Sequence, residues 1–540
     1  MENRLALALA LSLGIIVAFQ VLFPSPHPAG PVPAAQGIDS AASPSAPAAG
    51  SAAPAAPTAA VASAPATAPS APAVQPGPSV DVKTRLFRAR FSPLGGRLTS
   101  FEVADYQKDP APGDGPYDLV HSAGEEPLAV LWRNEAGAVV DDRSVVYEVR
   151  TSAAEVADGQ SATVTMTGRT AGGATITKTL QIASGSYLMG YRVETTGLPS
   201  TPLAVGWSRR LHPHKARADV EGAVGYFDGK LHSFDASTLK ETQVAEGNAS
   251  WAGYAEHYFL AAYVPDQRQP LKLVASADAE AGHAALWTAA PAASVSYSLY
   301  FGPKSTRELE KAGHDLGQAI DLGWFWFIAK PLMVALGLVE AVVGNFGWAI
   351  ILLTVAVRAA FYPINKKQIE AMKGMQRIQP EVKKIQERYK DDREKMNLEM
   401  MELYRRHKVN PLAGCLPMLV QLPVFVGLYN VLLQSIELRH APFLGWVLDL
   451  SQPDRLGAFA LPMVEPAGIP VLTLLMGASM ILQQKMTPST ADPAQQRVMM
   501  IMPVMFTVMF VNFPSGLVLY WLSNNILSIA QQAFSNRSSK

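Results

Sequence analysis

Long apolar runs occupy the start of the chain and its C-terminal two fifths, and short alternating runs lie between them. Leu5 to Phe23 is about nineteen residues broken only by Ser12 and Gln20, near the length that crosses a bilayer core. It predicts a first spanning helix; a cleaved signal peptide, with an apolar region of about 7 to 15 residues, is the rival reading. Between Asp81 and Tyr300 the period changes to two, as in Thr163-Val164-Thr165-Met166-Thr167 and Ala174-Thr175-Ile176-Thr177-Lys178-Thr179-Leu180. Turn signals such as Gly95-Gly96 and Gly172-Gly173 separate these runs, so the pattern predicts a large all-β sandwich.

From Gly323 to Pro363 the apolar sequence is longer than one helix needs. Trp324-Phe325-Trp326-Phe327 followed by Lys330-Pro331 predicts a helix lying in the membrane interface, and Asn345 to Tyr362 a spanning helix. Further apolar stretches at Leu416 to Leu433, Gly468 to Leu482, Val498 to Phe513 and Leu517 to Ile529 bring the expected spans to six. Ile378, Val382, Ile385 and Tyr389, then Met396, Met400 and Leu403, recur at coiled-coil spacing on either side of Asp391-Asp392, which predicts an antiparallel helical hairpin. Glu399 on its second helix is a candidate contact to the membrane core.

Composition adds an Ala/Pro/Ser-rich stretch from Pro24 to about Val80, which cannot bury enough apolar surface to order itself and reads as a disordered tether. Net charge says nothing about partners, since 45 basic residues face 45 acidic ones. Local charge says more. Thirteen Lys or Arg against eight acidic residues lie between Pro363 and Leu412, whereas Ile436 to Ala467 holds only Arg439 and Arg455 against four acidic residues. The positive-inside rule then puts both termini and the basic hairpin in the cytoplasm, and the β domain on the far side, the periplasm of a Gram-negative cell. The single cysteine, Cys415, excludes an intramolecular disulfide, and no metal or cofactor is implied. His212 and His214 are candidates for a sugar pocket, with ordinary surface histidines as the alternative.

Arg358 is the most informative residue, because an ionised side chain in a spanning helix costs roughly 2.5 to 3.5 kcal/mol at mid-membrane. Snorkelling to the cytoplasmic headgroups past Pro363 is one reading. The other groups Arg358 with Thr354, one helical turn away, with Gln421 at a similar depth in the next span, and with Asn524 and Asn525 in the last one. Without an acidic residue in these spans, the inventory predicts a positive, hydrated recess open to the cytoplasm. The methionines of the C-terminal half suit either adaptable partner contacts or plain helix packing.

Asn410-Pro411-Leu412-Ala413-Gly414-Cys415-Leu416-Pro417, Gln421-Leu422-Pro423-Val424-Phe425, Phe513-Pro514-Ser515-Gly516-Leu517, and Val357-Arg358 ahead of Tyr362-Pro363 resemble the Oxa/Alb/YidC family of membrane insertases, in its Gram-negative form. Trp251 to Phe259 and Gly323 to Phe327 extend the resemblance outside the membrane, so it covers nearly the whole chain. It implies a multi-domain membrane protein of six transmembrane helices, with a five-helix core around a hydrophilic groove, a periplasmic β-supersandwich similar to galactose mutarotases, and the cytoplasmic hairpin. It implies insertion and folding of nascent membrane-protein clients in the inner membrane, alone or with the Sec translocon and ribosomes, with no small-molecule substrate and no enzymatic chemistry. By position, Thr354, Arg358, Gln421 and Asn524 are groove residues, while Phe425, Tyr520 and Trp521 face the client. Trp521 stands where the family has tyrosine, and the tail holds only Arg537 and Lys540, too little for strong ribosome binding.

The expected division is a cytoplasmic start at 1–4, span 5–23, tether 24–80, β domain 81–318, interfacial helix 319–344, span 345–363 and hairpin 364–412. Span 413–435, periplasmic loop 436–467, span 468–484, cytoplasmic loop 485–497, spans 498–513 and 516–532, and a tail 533–540 complete it. A secondary transporter is the principal alternative, since polar groups inside a membrane also mark substrate sites. A membrane-anchored carbohydrate enzyme is another, but leaves the C-terminal spans unexplained.

Overall fold

The computed structural model describes residues 77–108, 115–120, 127–210, 221–278, 281–390, 392–407, 409, 416–459, 464, 466–486 and 493–537. These fall within one compact unit. The expected first span, nearly all of the tether, His212, His214 and Asn410 to Cys415 lie outside the described residues.

The alternating region folds into antiparallel sheets. A four-stranded sheet is formed by Val80–Lys83, Phe87–Ser92, Arg97–Gln107 and Pro116–Asp118, beside a branched 14-stranded one whose main path runs from Val139–Asp141 to Tyr147–Thr151. Period two explains the core: Ala162, Val164 and Met166 of Ser161–Arg169, and Ile176, Leu180 and Ile182 of Thr175–Ala183, are buried while their neighbours are not. The same alternation drives Lys178 inward, where it is fully buried. Its ammonium pairs with Asp142 at 2.6 Å and donates to the carbonyls of Gly95, Gly96 and Leu128 at 2.8, 3.0 and 2.8 Å. Gly95 and Gly96 form the tight turn of the smaller sheet, with φ of 72° and 52°, so this one side chain ties the two sheets together.

Nine helices follow among the described residues: α1 (Thr306–Ala312), α2 (Trp326–Val343), α3 (Phe346–Ala360), α4 (Tyr362–Arg388), α5 (Arg393–Arg406), α6 (Leu416–Gln434), α7 (Val471–Met486), α8 (Pro493–Phe510) and α9 (Ser515–Arg537). Asn345 separates α2 from α3 and caps α3 by accepting the Trp348 amide at 3.2 Å. Pro363 sits in the first turn of α4, where its missing N–H costs nothing, so α4 starts almost where α3 stops. Ile378 and Val382 of α4 pack on Leu403 of α5 in a small core of their own, and Asp392 caps α5. In the bundle, α9 packs on α7 and α3, α7 on α8, and α2 on α3 and α6. Gly477 permits the close approach of α7 to α8, since a Cβ there would collide with the Thr507 side chain.

By length and composition alone, α2 is the one described helix able to cross a membrane, with a mean hydropathy of 1.8 over 18 residues; α3 and parts of α6 and α8 are apolar but shorter. Little of α2 is covered, and Trp324, Trp326, Phe327, Leu338 and Val342 are exposed.

Two outcomes test this core. Lys178→Met removes the nearer of the two cations beside the buried Asp142 carboxylate, leaving Arg97 at 3.6 Å, and should lower stability by about 3 kcal/mol, read as an early transition in thermal unfolding followed by tryptophan fluorescence. Glu437, just beyond α6, accepts the Thr306 amide and lies beside Tyr106, which Glu308 and Arg439 also face. Burial pushes its carboxyl above the ordinary 4.5, so its contribution to stability is complete below that value and is lost as pH rises through the elevated one. Glu437→Gln should therefore raise the melting temperature at pH 7.5 while leaving it unchanged at pH 4.

Candidate functional site

Arg358 lies in the last turn of α3 and is half-buried. Its guanidinium is spread along α9: Nε donates to Asn524 Oδ1 at 2.9 Å, Nη1 to Gln531 Oε1 at 3.3 Å, and Nη2 to the Ser528 hydroxyl. Residues 524, 528 and 531 are spaced four and three apart, so they share one face of the helix. Every acceptor is neutral. Tyr520, one turn before Asn524, extends the same face and stands within electrostatic reach of Arg358. Its hydroxyl accepts a hydrogen bond from Gln421 Nε2 at 3.0 Å, which joins α6 to α9.

The expected site residues are thus divided. Arg358 and Asn524 are bonded to each other, and Gln421 reaches them through Tyr520. Thr354 is buried, and its hydroxyl donates back to the Ile350 carbonyl at 2.6 Å, as a helical threonine does when no other acceptor is near. Asn525 points the other way, donating to Ser479 of α7 at 3.0 Å. Glu399 is exposed and lines a cleft between α4 and α5 with Lys384, Arg388 and Arg406. Ser528 and Gln531 escaped the sequence reading, although their spacing from Asn524 is itself the signal of a polar helix face.

Tyr520 is buried, whereas Phe425 and Trp521 are half-buried. Trp521 is the hub of an aromatic cluster that joins α6, α8 and α9: Phe425 meets it edge-on at 4.7 Å, Phe510 at 4.9 Å and Phe506 at 5.8 Å. An indole offers these rings more contact area than a phenol does. The motif Phe513 to Leu517 is an anchoring turn. Ser515 and Gly516 donate their amides to Gln452 and Leu450 at 2.8 and 2.9 Å, and the Ser515 hydroxyl donates to Asp449. From the same loop, buried Asp454 accepts the Leu472 amide at 2.6 Å and the Thr473 hydroxyl at 3.1 Å, which caps α7. Arg455 donates to Asn512 at 2.9 Å, so the loop between α6 and α7 fixes the starts of both α7 and α9.

If Trp521 holds the bundle together, Trp521→Ala should cost about 2 to 3 kcal/mol of stability and Trp521→Tyr clearly less, measured by thermal unfolding of the purified protein. A residue that only touches clients would leave the melting temperature unchanged.

Comparison with known proteins places this arrangement. Residues 338–540 match the family described as 60Kd inner membrane protein, and residues 79–335 match the YidC periplasmic domain. The membrane protein insertase YidC of Pelobacter propionicus is 38% identical over 99% of this chain and 99% of its own, and that of Syntrophobacter fumaroxidans is 38% identical over 99% and 100%. A solved structure described as an active YidC insertase with its first transmembrane domain resolved is 20% identical, covering 85% of this chain and 93% of that one with a TM-score of 0.38. These relatives do not favour the secondary transporter. The β-rich domain is periplasmic, the C-terminal part is the helical membrane region, and the clients are membrane proteins delivered to the lipid bilayer. With both parts matched and the relatives aligned over nearly their full length, the chain belongs to the YidC family of membrane protein insertases of the inner membrane.

Proposed function

We propose that insertion proceeds by differential solvation at the polar face of α9. The observation that carries the reading is the coordination of Arg358: its donors are answered by Asn524, Ser528 and Gln531, and no carboxylate pairs with it among the described residues. Neutral dipoles hold a cation in place without cancelling its charge. The site therefore remains attractive to an acidic or polar client segment and offers it an environment between water and lipid. The apolar part of the client lies against exposed side chains of the outer helix faces, such as Leu422 of α6 and Met500, Ile501, Val504 and Met505 of α8. No nucleophile, metal or cofactor enters this mechanism.

The membrane arrangement follows from charge and connection. Only Gly344 and Asn345 separate α2 from α3. If both helices crossed the bilayer, the β domain and the basic α4–α5 segment would share one side, against the positive-inside rule. An α2 lying in the periplasmic interface, with its exposed Trp326 and the preceding Trp324 at headgroup level, leaves six spans and puts both termini and the α4–α5 hairpin in the cytoplasm. There the hairpin's basic surface faces anionic headgroups or ribosomal RNA. Handover from the Sec translocon and from ribosomes fits this layout.

The test is insertion of a single-spanning client with an acidic translocated tail into vesicles that carry the full-length protein. Arg358→Ala should slow insertion about tenfold at equal protein level, equivalent to about 1.4 kcal/mol, and Arg358→Lys, which keeps the charge but loses the forked contact, should be intermediate. Equal insertion by wild type and Arg358→Ala would reject the groove.

A further inference from the structure

The conspicuous segment Trp251 to Phe259 has no place in the mechanism above, although it lies at the joint between the two parts of the molecule. It ends one strand, Gln243–Ala255, and turns through Glu256, His257 and Tyr258 into the next, Phe259–Pro265. The turn is held hard from within the β domain. Phe259 stacks on Tyr117 with ring centroids 4.5 Å apart and planes 10° apart, the Tyr117 hydroxyl donates to Glu256 Oε2 at 3.1 Å, and Glu256 Oε1 pairs with buried Arg209. Glu221 at 2.7 Å completes that buried group.

What this turn presents outward is His257, whose Nε2 lies 2.8 Å from the Leu433 carbonyl in the last turn of α6. A carbonyl oxygen only accepts, so Nε2 carries the proton, and it answers one of the carbonyls that a helix end leaves without a partner. Beyond the helix, Arg439 returns the grip: Nη1 and Nη2 donate to the Gln107 and Lys108 carbonyls at 2.7 and 2.7 Å, and the guanidinium lies 4.9 Å from the Tyr117 ring centre. Tyr117 thus touches both halves of the joint. Asn430 adds a bond to the Leu322 carbonyl at 2.8 Å, and Glu437 adds one from the Thr306 amide. Contacts from several separate segments of the β domain and its trailing connection converge on residues 430–439.

This convergence matters because of what the other end of α6 carries. Gln421 lies about 18 Å down the helix from Leu433, and Pro423 between them removes one backbone hydrogen bond from its middle. α6 packs mainly on α2 and only slightly on α9, so the Gln421 contact to Tyr520 depends on how the helix is tilted. We infer that the Glu256-His257 turn and Arg439 form a strap by which the β domain sets the tilt of α6 and so positions Gln421 and Phe425 at the polar face of α9. The consequence for insertion rests on the groove reading; the docking itself does not. His257 and Arg439 are positioning residues with no contact to the client.

The experiment uses the full-length protein in lipid vesicles, with His257→Ala, Arg439→Ala, their combination and His257→Gln, whose amide keeps a donor. Hydrogen exchange over residues 428–440 reports docking, and insertion of the acidic-tailed client reports its consequence. Loss of a net hydrogen bond of about 1 kcal/mol predicts about fivefold faster exchange in His257→Ala. Slower insertion at equal protein level should accompany it, with both effects largely restored in His257→Gln. Unchanged exchange in both alanine variants, or faster exchange with undiminished insertion, overturns the strap. Equal loss in His257→Gln and His257→Ala overturns the donor role. Slow insertion by the strap variants beside full activity of Arg358→Ala retains the strap and rejects the groove.

Discussion

A cation left charged inside a helical bundle is the constraint around which the membrane part is arranged. The β domain shows the ordinary solution: buried Lys178 is matched by Asp142, and buried Arg209 by Glu221 and Glu256. In each group the cation meets at least one carboxylate and serves cohesion, and breaking the contact strands a buried charge. Arg358 is treated differently, with one hydroxyl and two amide side chains of α9 in place of a carboxylate. Geometry is fixed while the field survives. A bundle organised in this way trades cohesion for a persistent positive potential, the property on which the proposed reception of acidic segments rests.

That choice places demands on everything near α9. The helix has to keep 520, 524, 528 and 531 pointing one way, and it is registered from both sides: by its first turn against the loop between α6 and α7, through Ser515 and Gly516, and by the aromatic cluster about Trp521. The same loop caps α7 through Asp454. Motif residues that look functional from their peculiarity, such as Pro514-Ser515-Gly516, therefore act by placing helix starts. α6 is interrupted by Pro423 and its contact with α9 is slight, and the β domain holds its far end.

The architecture of a β domain followed by apolar helices was legible in the sequence, because period two against period 3.6 is a local property that burial enforces residue by residue. Val164 and Ile176 face inward for the same reason that their neighbours face out. Arg358 was legible because a charge in an apolar run is costly wherever it sits. Thr354 shows the limit: its spacing from Arg358 is that of a shared face, yet its hydroxyl returns to the Ile350 carbonyl, since an acceptor in its own helix is always within reach and one in a neighbour is not guaranteed.

By itself the sequence determined the β-rich and helical parts, the placing of Arg358 in an apolar helix, the charge asymmetry of the loops and the presence of polar residues in the last apolar stretch. Which of those polar residues meet the arginine was decided only by the tertiary structure. Asn524 and Asn525 are adjacent in the chain, but a helix turns about 100° per residue, so one bonds Arg358 and the other bonds Ser479. His257 and Leu433 are separated by 176 residues, and nothing local to either specifies the contact between them. Such pairings depend on the relative placement of whole elements, which is set by packing across the molecule and not by the pattern along the chain.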